Sequence, residues 1–179
     1  MRSTHLFNHD WLFIPQKVAG NMPDSAFERV ILPHTNKLVP HRNFDDADYQ
    51  FISTYRKHFT LPEPLNGRRL LLDFDGAMMG TTVTLNGHTF PEHKGGYVPF
   101  SFDITDYVQE NGDNLLEVSL DSTERPDIPD LGLWWIIWHL VGFIGMCICV
   151  MSRRAISKKH GFARMMSSPP MPTQRWMCG

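Results

Sequence analysis

Cysteine is absent from the first 130 residues of this 179-residue chain, and acidic residues are absent from the last 49. Without cysteine, the first part has no disulfide framework and gives no sign of an oxidising compartment. Polar residues follow Met1 and Arg2 where a secretory signal would be apolar. All 19 acidic residues lie before position 131, which argues against a nucleic-acid partner because such a partner requires a clustered basic face. We therefore expect residues 1–130 to be cytoplasmic.

The two parts of the chain on either side of position 130 differ in composition, because only the first part contains acidic residues. Residues 131–179 contain all three cysteines, together with most of the tryptophans and methionines of the chain. They also contain six Lys and Arg that no acidic residue balances. We divide the chain accordingly into a domain at 1–130 and a tail at 131–179.

Five short β-like runs lie between Thr54 and Asp121. They are rich in Val, Thr, Phe, Tyr and Leu, and they recur about every 10 to 15 residues, which indicates an antiparallel sandwich. The Asn86-Gly87 pair between two of the runs predicts a tight type I′ hairpin. Three runs show the period of two that strands with one buried face require; their apolar residues are Leu70, Leu72, Phe74, then Phe100, Phe102, Ile104, then Leu116, Val118, Leu120. The pattern predicts an all-β sandwich.

Seven sequence blocks in a fixed order give this sandwich a family resemblance. They are Trp11–Phe13, Val30–Thr35, Tyr55–Phe59, Asp73–Gly76, Val83–Gly87, Gly95–Asp106 and Asn114–Val118. In this order they resemble the N-terminal sugar-binding domain of glycoside hydrolase family 2, and among its members the bacterial β-galactosidases most. The resemblance extends from about residue 5 to residue 129 and implies a jelly-roll fold.

The resemblance also implies an activity for the whole enzyme. Family members continue into an immunoglobulin-like domain and a catalytic (β/α) barrel, where an acid/base Glu and a nucleophilic Glu act in a retaining mechanism. Neither domain fits into the residues that remain here. We expect the parent enzyme to hydrolyse terminal β-galactosides, and we expect this chain alone to be inactive, with no catalytic residue and no cofactor.

Two residues correspond in the resemblance to sugar contacts. Asn43 precedes the Tyr55 run, and its carboxamide can both donate hydrogen bonds to sugar hydroxyls and accept them. Asp121, at the end of the last run, lies in the region where the family supplies a carboxylate to the galactose subsite. The alternatives are an Asx-turn at Asn43 and a strand-end cap at Asp121.

Other polar and aromatic residues have simpler explanations. Asp45, Asp46 and Asp48 lack the spacing of a calcium loop. The histidine pairs His34/His41 and His88/His93 lack a third ligand for zinc, so no metal is expected. Cys147 and Cys149 lie one residue apart in an apolar run, which is not a redox motif. Three aromatic residues have the flat faces that stack on sugars, although core packing is the commoner use; they are Tyr97, Phe100 and Phe102.

The tail permits two interpretations. Residues 131–151 carry no Lys, Arg, Asp or Glu, and basic residues follow at 153–154 and 158–159. Such a run is long enough to cross a bilayer as a helix with its basic flank inside the cell. On this interpretation the chain is a non-catalytic carbohydrate-binding module anchored in a membrane by residues 131–151.

The second interpretation comes from the genetic code. Family members carry a block resembling Asp-Tyr-x-x-x-Gly-Gly-Ile-Tyr-Arg-Asp-Val soon after this position. The codons of Leu133 to Met146, read from the third base of each, can spell Val-Asp-Tyr-Leu-Ala-Phe-Gly-Gly-Ile-Tyr-Arg-Asp-Val. We favour the loss of one base, or the gain of two, between Pro129 and Leu133. A third interpretation, a fragment that docks on a barrel supplied in trans, needs a partner that the sequence does not show.

Overall fold

The structure is a computed structural model that describes residues 3–18, 22–36, 50–123, 125, 142–143 and 145–152. Within these ranges the chain is almost entirely strand, with one 3₁₀ turn at Asp24–Ala26. The strands are β1 (Ser3–Leu6), β2 (Trp11–Ile14), β3 (Glu28–Val30), β4 (His34–Thr35), β5 (Ile52–Phe59), β6 (Arg69–Phe74), β7 (Gly80–Leu85), β8 (His88–Thr89), β9 (His93–Lys94), β10 (Phe100–Asp103), β11 (Asn114–Asp121), β12 (Gly142–Phe143) and β13 (Cys147–Ser152).

The described strands form two main antiparallel sheets. The larger has the order β3-β2-β5-β11-β7-β8, and β9 also pairs with β7. The smaller has the order β1-β13-β6-β10, while β4 and β12 pair separately. Buried side chains from both main sheets form one core cluster that includes Trp11, Tyr55, Leu72 and Val118. The predicted all-β jelly-roll sandwich is confirmed.

The alternating pattern of β6 and β11 explains how the sheets face each other. Leu116, Val118 and Leu120 are fully buried, while the residues between them are half-buried. Side chains of this size contribute about 1.5–3 kcal/mol each when they leave water. Because successive residues point to opposite faces, a shift of one position would expose the whole apolar set, so the pattern determines the register.

The turns follow the chemistry of their residues. Asn86 and Gly87 have φ values of 49° and 86°, which confirms the type I′ hairpin between β7 and β8. The Asn86 side chain also donates to the Tyr107 carbonyl and accepts from the Leu115 N–H. One asparagine therefore forms the turn and ties it to two neighbouring segments.

The helix proposed for residues 131–151 is wrong for the described part of that segment. Gly142–Phe143 pairs with His34–Thr35, and Cys147–Ser152 lies between β1 and β6 with all six residues buried. A strand covered on both faces is a continuous apolar run, which periodicity alone does not distinguish from a helix. Here the open edges of β1 and β6 favour the strand, because unpaired backbone groups gain partners there. In the part of the chain that the structure describes, no helix has the length and apolarity needed to cross a membrane.

Two cysteines lie on the core side of β13. Burial raises the pKa of the Cys147 thiol well above its ordinary value and the pKa of the Cys149 thiol to about 12. The thiolate is the reactive form of cysteine, and it is scarcely populated in either residue at neutral pH. Both side chains therefore act as small apolar groups of the core.

Candidate functional site

Asp121 is the last residue of β11, where it pairs with Ile52 of β5 and Gly80 of β7. Its Oδ1 accepts hydrogen bonds from the Thr123 N–H at 3.0 Å and from the Thr123 hydroxyl at 2.6 Å. The strand-end cap that the sequence offered as an alternative is thus present in the structure. Oδ2 lies 3.7 Å from Arg125 Nη1, and the side chain is 24% exposed. Oδ2 is thus not used by the strand-end cap.

Arg125 also binds a second carboxylate. Its Nη1 donates to Glu92 Oε1 at 2.5 Å, and its Nη2 donates to Glu92 Oε2 at 3.2 Å. Lys94 Nζ lies 3.9 Å from the same Oε2. Asp121, Arg125, Glu92 and Lys94, which we call the Asp121 cluster, contain two negative and two positive groups, so their formal charges cancel.

A glycine makes room for this cluster. A Cβ added at Gly80 would lie 3.1 Å from Arg125 Nη1, 3.1 Å from Glu92 Oε1 and 3.5 Å from Asp121 Cβ. The two 3.1 Å distances are tighter than most real Cβ contacts, so a larger residue at position 80 would press on the Arg125–Glu92 ion pair. Beside Gly80, the Met79 N–H donates to the Asp121 carbonyl, and the Met79 carbonyl accepts from the Gly95 N–H. The backbone thus ties two loops to the end of β11.

A chain of buried polar groups lies next to the cluster. The Tyr55 hydroxyl donates to Asn36 Oδ1 at 2.8 Å, and it lies 2.9 Å from His34 Nδ1. Since a hydroxyl has one hydrogen, Tyr55 accepts from His34, which carries its proton on Nδ1. Burial lowers the pKa of His34 and favours this neutral ring. Asn36 Nδ2 in turn donates to Ser122 Oγ at 3.3 Å, one residue beyond Asp121.

Asn43, the other predicted sugar contact, lies outside the described residues, as do Asp45, Asp46, Asp48 and His41. The described residues on either side of this segment meet at Ser122. Asn36 bonds to the Ser122 side chain, and the Phe51 carbonyl accepts from the Ser122 N–H at 3.2 Å. Asn36 and Phe51, which lie on either side of this segment in the chain, therefore both bond to the residue after Asp121.

The candidate aromatic residues separate into two groups. Phe100 and Phe102 pack against the core, and Phe100 stacks on Phe74 with 4.8 Å between ring centroids and on His93 with 4.0 Å. Core packing, the commoner use, is thus found for both. Tyr97 instead is 42% exposed. Across the described ranges, no three His, Cys, Asp or Glu side chains are grouped so that they could hold a metal ion.

Sequence reasoning did not single out Glu92 or Arg125. In the chain, 33 positions separate them. They meet because β7 pairs with β9 on one side and with β11 on the other. The available signal was indirect: Arg125 follows β11 closely, and Glu92 precedes the Gly95-Gly96 bend.

Comparisons with known proteins bear on what this site serves. The family profile described as glycosyl hydrolase 2 galactose-binding domain-like matches residues 34–129. A β-galactosidase of Thermoanaerobacter pseudethanolicus is 43% identical over 143 residues, covering 77% of this chain and 18% of its own length. A β-glucuronidase of Formosa agariphila is 31% identical over 133 residues, covering 68% of this chain and 14% of its own length. The crystal structure of a Bacteroides uniformis β-glucuronidase superposes with a TM-score of 0.73 at 26% identity, covering 84% of this chain and 18% of that one.

Fold and profile together define a galactose-binding-like β-sandwich domain. The chain belongs to glycoside hydrolase family 2, as its sequence blocks indicated. It spans only about a fifth of the length of the curated relatives that it matches. The matched part corresponds to the N-terminal domain of those enzymes.

Proposed function

We propose that the chain is the N-terminal domain of a cytoplasmic enzyme that hydrolyses terminal β-galactosides. The two catalytic carboxylates would lie in a barrel outside this sequence and act by the retaining mechanism. The observation that carries the proposal is the family match over residues 34–129, together with two relatives at 43% and 38% identity that are named β-galactosidases. In such an enzyme this domain binds and orients the sugar and takes no part in breaking the glycosidic bond.

Asp121 and Asn43 are the residues that we propose for contact with the sugar. Asp121 Oδ1 is already used by Thr123, so a galactose hydroxyl would donate to Oδ2. Asn43 lies between Asn36 and Phe51 in the sequence, and both of these residues bond to Ser122, the residue after Asp121. A hydrogen bond to a charged group contributes about 1.5–3 kcal/mol, so each contact would matter for affinity without determining it alone.

Replacing Asp121 with Asn tests the sugar contact. The asparagine keeps an oxygen for the two Thr123 bonds but loses the charge of the acceptor that faces the sugar. We expect galactose to bind roughly tenfold more weakly, which corresponds to about 1.4 kcal/mol. Titration with galactose, followed by amide chemical shifts in ¹H–¹⁵N spectra, measures the dissociation constant. Asp113→Asn, an exposed position that precedes the other end of β11, serves as the matched control. Equal affinity of D121N and the wild type would rule out the contact.

We also propose that the residues beyond about 130 come from a shifted reading frame. The support is the family block that the third-base frame spells between Leu133 and Met146. Sequencing the gene from the codon of Ile128 to several hundred bases beyond that of Met151 tests this. Restoring one base should open a frame through Gly-Gly-Ile-Tyr-Arg-Asp-Val into a barrel with two catalytic Glu residues. If no such frame follows in the sequenced region, the proposal fails.

A further inference from the structure

The Arg125 guanidinium already binds a carboxylate, which belongs to the protein. Both terminal nitrogens of Arg125 donate to the two oxygens of Glu92, in the parallel two-bond geometry that arginine forms with carboxylates. The same edge of a guanidinium is what a protein would offer to the carboxylate of a uronic acid. Glu92 therefore occupies the edge of Arg125 to which the carboxylate of an acidic sugar would bind.

The similar proteins leave the sugar class open. They include both β-galactosidases and β-glucuronidases. Galactose and glucuronic acid differ in the configuration at C4 and in the group at C6, which is a hydroxymethyl group in galactose and a carboxylate in glucuronic acid. Family membership alone therefore does not distinguish a neutral substrate from an anionic one. The charged groups around Asp121 bear on this choice.

We propose that Glu92 is a specificity-determining residue that makes the Asp121 site select neutral sugars over uronic acids. The inference rests on the proposed function, because it takes Asp121 as the sugar contact. Glu92 acts in two ways: it occupies the bidentate edge of Arg125, and it adds a negative charge that repels a second carboxylate. Asp121, whose Oδ2 lies 3.7 Å from Arg125 Nη1, adds a further negative charge on the same side.

The geometry keeps Arg125 from serving a ligand in this state. Arg125 is 25% exposed and Glu92 is 30% exposed, so the pair is partly shielded from water and from screening by salt. Gly80 lets both side chains approach the backbone of β7, where an added Cβ would be 3.1 Å from each. If Glu92 were neutral, the four groups of the Asp121 cluster would carry one net positive charge, and Arg125 would lose the carboxylate that competes with an anionic ligand.

Replacing Glu92 with Gln tests this inference with two sugars that share one ring configuration. The probes are galactose and galacturonate, which differ only at C6, and binding is followed by amide chemical shifts. In the wild type we expect galactose to bind at least about tenfold more tightly than galacturonate. In E92Q we expect the affinity for galacturonate to rise about tenfold, as a new charge-assisted bidentate contact allows, with galactose affinity within about twofold of the wild type.

Two further variants locate the effect. Adding Arg125→Gln to E92Q should abolish the gain in galacturonate affinity, because the anion then loses the guanidinium. Glu63→Gln breaks another Arg–Glu pair, that with Arg68 at 3.0 Å, and should leave both affinities unchanged. Thermal unfolding of each variant confirms that the fold is retained.

The outcomes separate this inference from the proposed function. If E92Q gains no affinity for galacturonate, or if the wild type binds both sugars equally, the inference is overturned. If the wild type binds galactose but E92Q gains no affinity for galacturonate, the inference about Glu92 fails and the proposed function stands. If the wild type does not bind galactose, both the galactoside role of Asp121 and the selection of neutral sugars are overturned, whatever E92Q binds.

Discussion

Replacing Val150 with proline should abolish the cooperative folding of this domain. Val150 lies in the middle of β13, pairs with Thr4 on one side and Leu71 on the other, and is fully buried. Proline removes the backbone N–H and restricts φ, which costs about 3 kcal/mol or more inside regular structure, and it is not tolerated in a central strand. Domains of this size are stable by about 5–15 kcal/mol in total. Thermal unfolding monitored by circular dichroism measures the effect.

Val150→Ala provides the control at the same position. It keeps the N–H and loses only two methyl groups, so we expect a loss of about 1–3 kcal/mol and a transition that remains cooperative. A V150P variant that unfolds within a few degrees of the wild type would show that β13 does not form in solution. In that case residues 131–151 would again have to be considered as a membrane segment.

Replacing Asn114 with Ala should be the most damaging removal of a single polar side chain described here. Asn114 is fully buried, and its Oδ1 accepts from the Gln109 N–H at 2.7 Å and from Asn86 Nδ2 at 2.8 Å. Its Nδ2 donates to three backbone carbonyls, at 3.0 Å to Gln109 and at 3.3 Å to Phe59 and Gly112. An unsatisfied buried group costs about 1–3 kcal/mol. We expect a total loss of roughly 3–5 kcal/mol in chemical denaturation.

Asn111→Ala is the matched control, since Asn111 is an exposed asparagine of the same loop. A surface substitution of this kind usually changes stability by less than about 0.5 kcal/mol. Similar losses for N111A and N114A would contradict the role of the buried network. A large loss confined to N114A would confirm that one side chain joins β11 to the β5 end, the β7–β8 turn and the preceding loop.

The fold class could be predicted because its signals are local. Each inward residue of β6 and β11 is followed by an outward one, so the alternation of apolar and polar residues along the chain identifies the buried face. The Asn86-Gly87 turn is local as well, because both residues tolerate positive φ. Residues 147–152 lack such a signal, since an apolar run that is buried on both faces has no period. The conformation of residues 147–152 depends on whether the edges of neighbouring strands are available for pairing.

The candidate site was only partly predictable for the same reason. Asp121 could be placed at the end of the last strand, and the strand-end cap by which its Oδ1 binds Thr123 was one of its two expected roles. Arg125, which lies 3.7 Å from Oδ2, is only four residues away in the chain. The carboxylate that binds Arg125 could not be predicted, because Glu92 precedes β9 and is 33 positions distant. Likewise, Tyr97 and Phe100 look equivalent in the sequence, yet one is exposed and the other packs on Phe74.

The sequence by itself determined the all-β class, the faces of the main strands, the hairpin turn and the resemblance to glycoside hydrolase family 2. These depend on residue order at short range, where sterics and hydrophobicity leave few alternatives. Tertiary structure decided that residues 147–152 form a strand and that Glu92 binds Arg125 beside Asp121. Both depend on groups that are distant in the chain, and their free energy is gained only when the sheets assemble and bring those groups together.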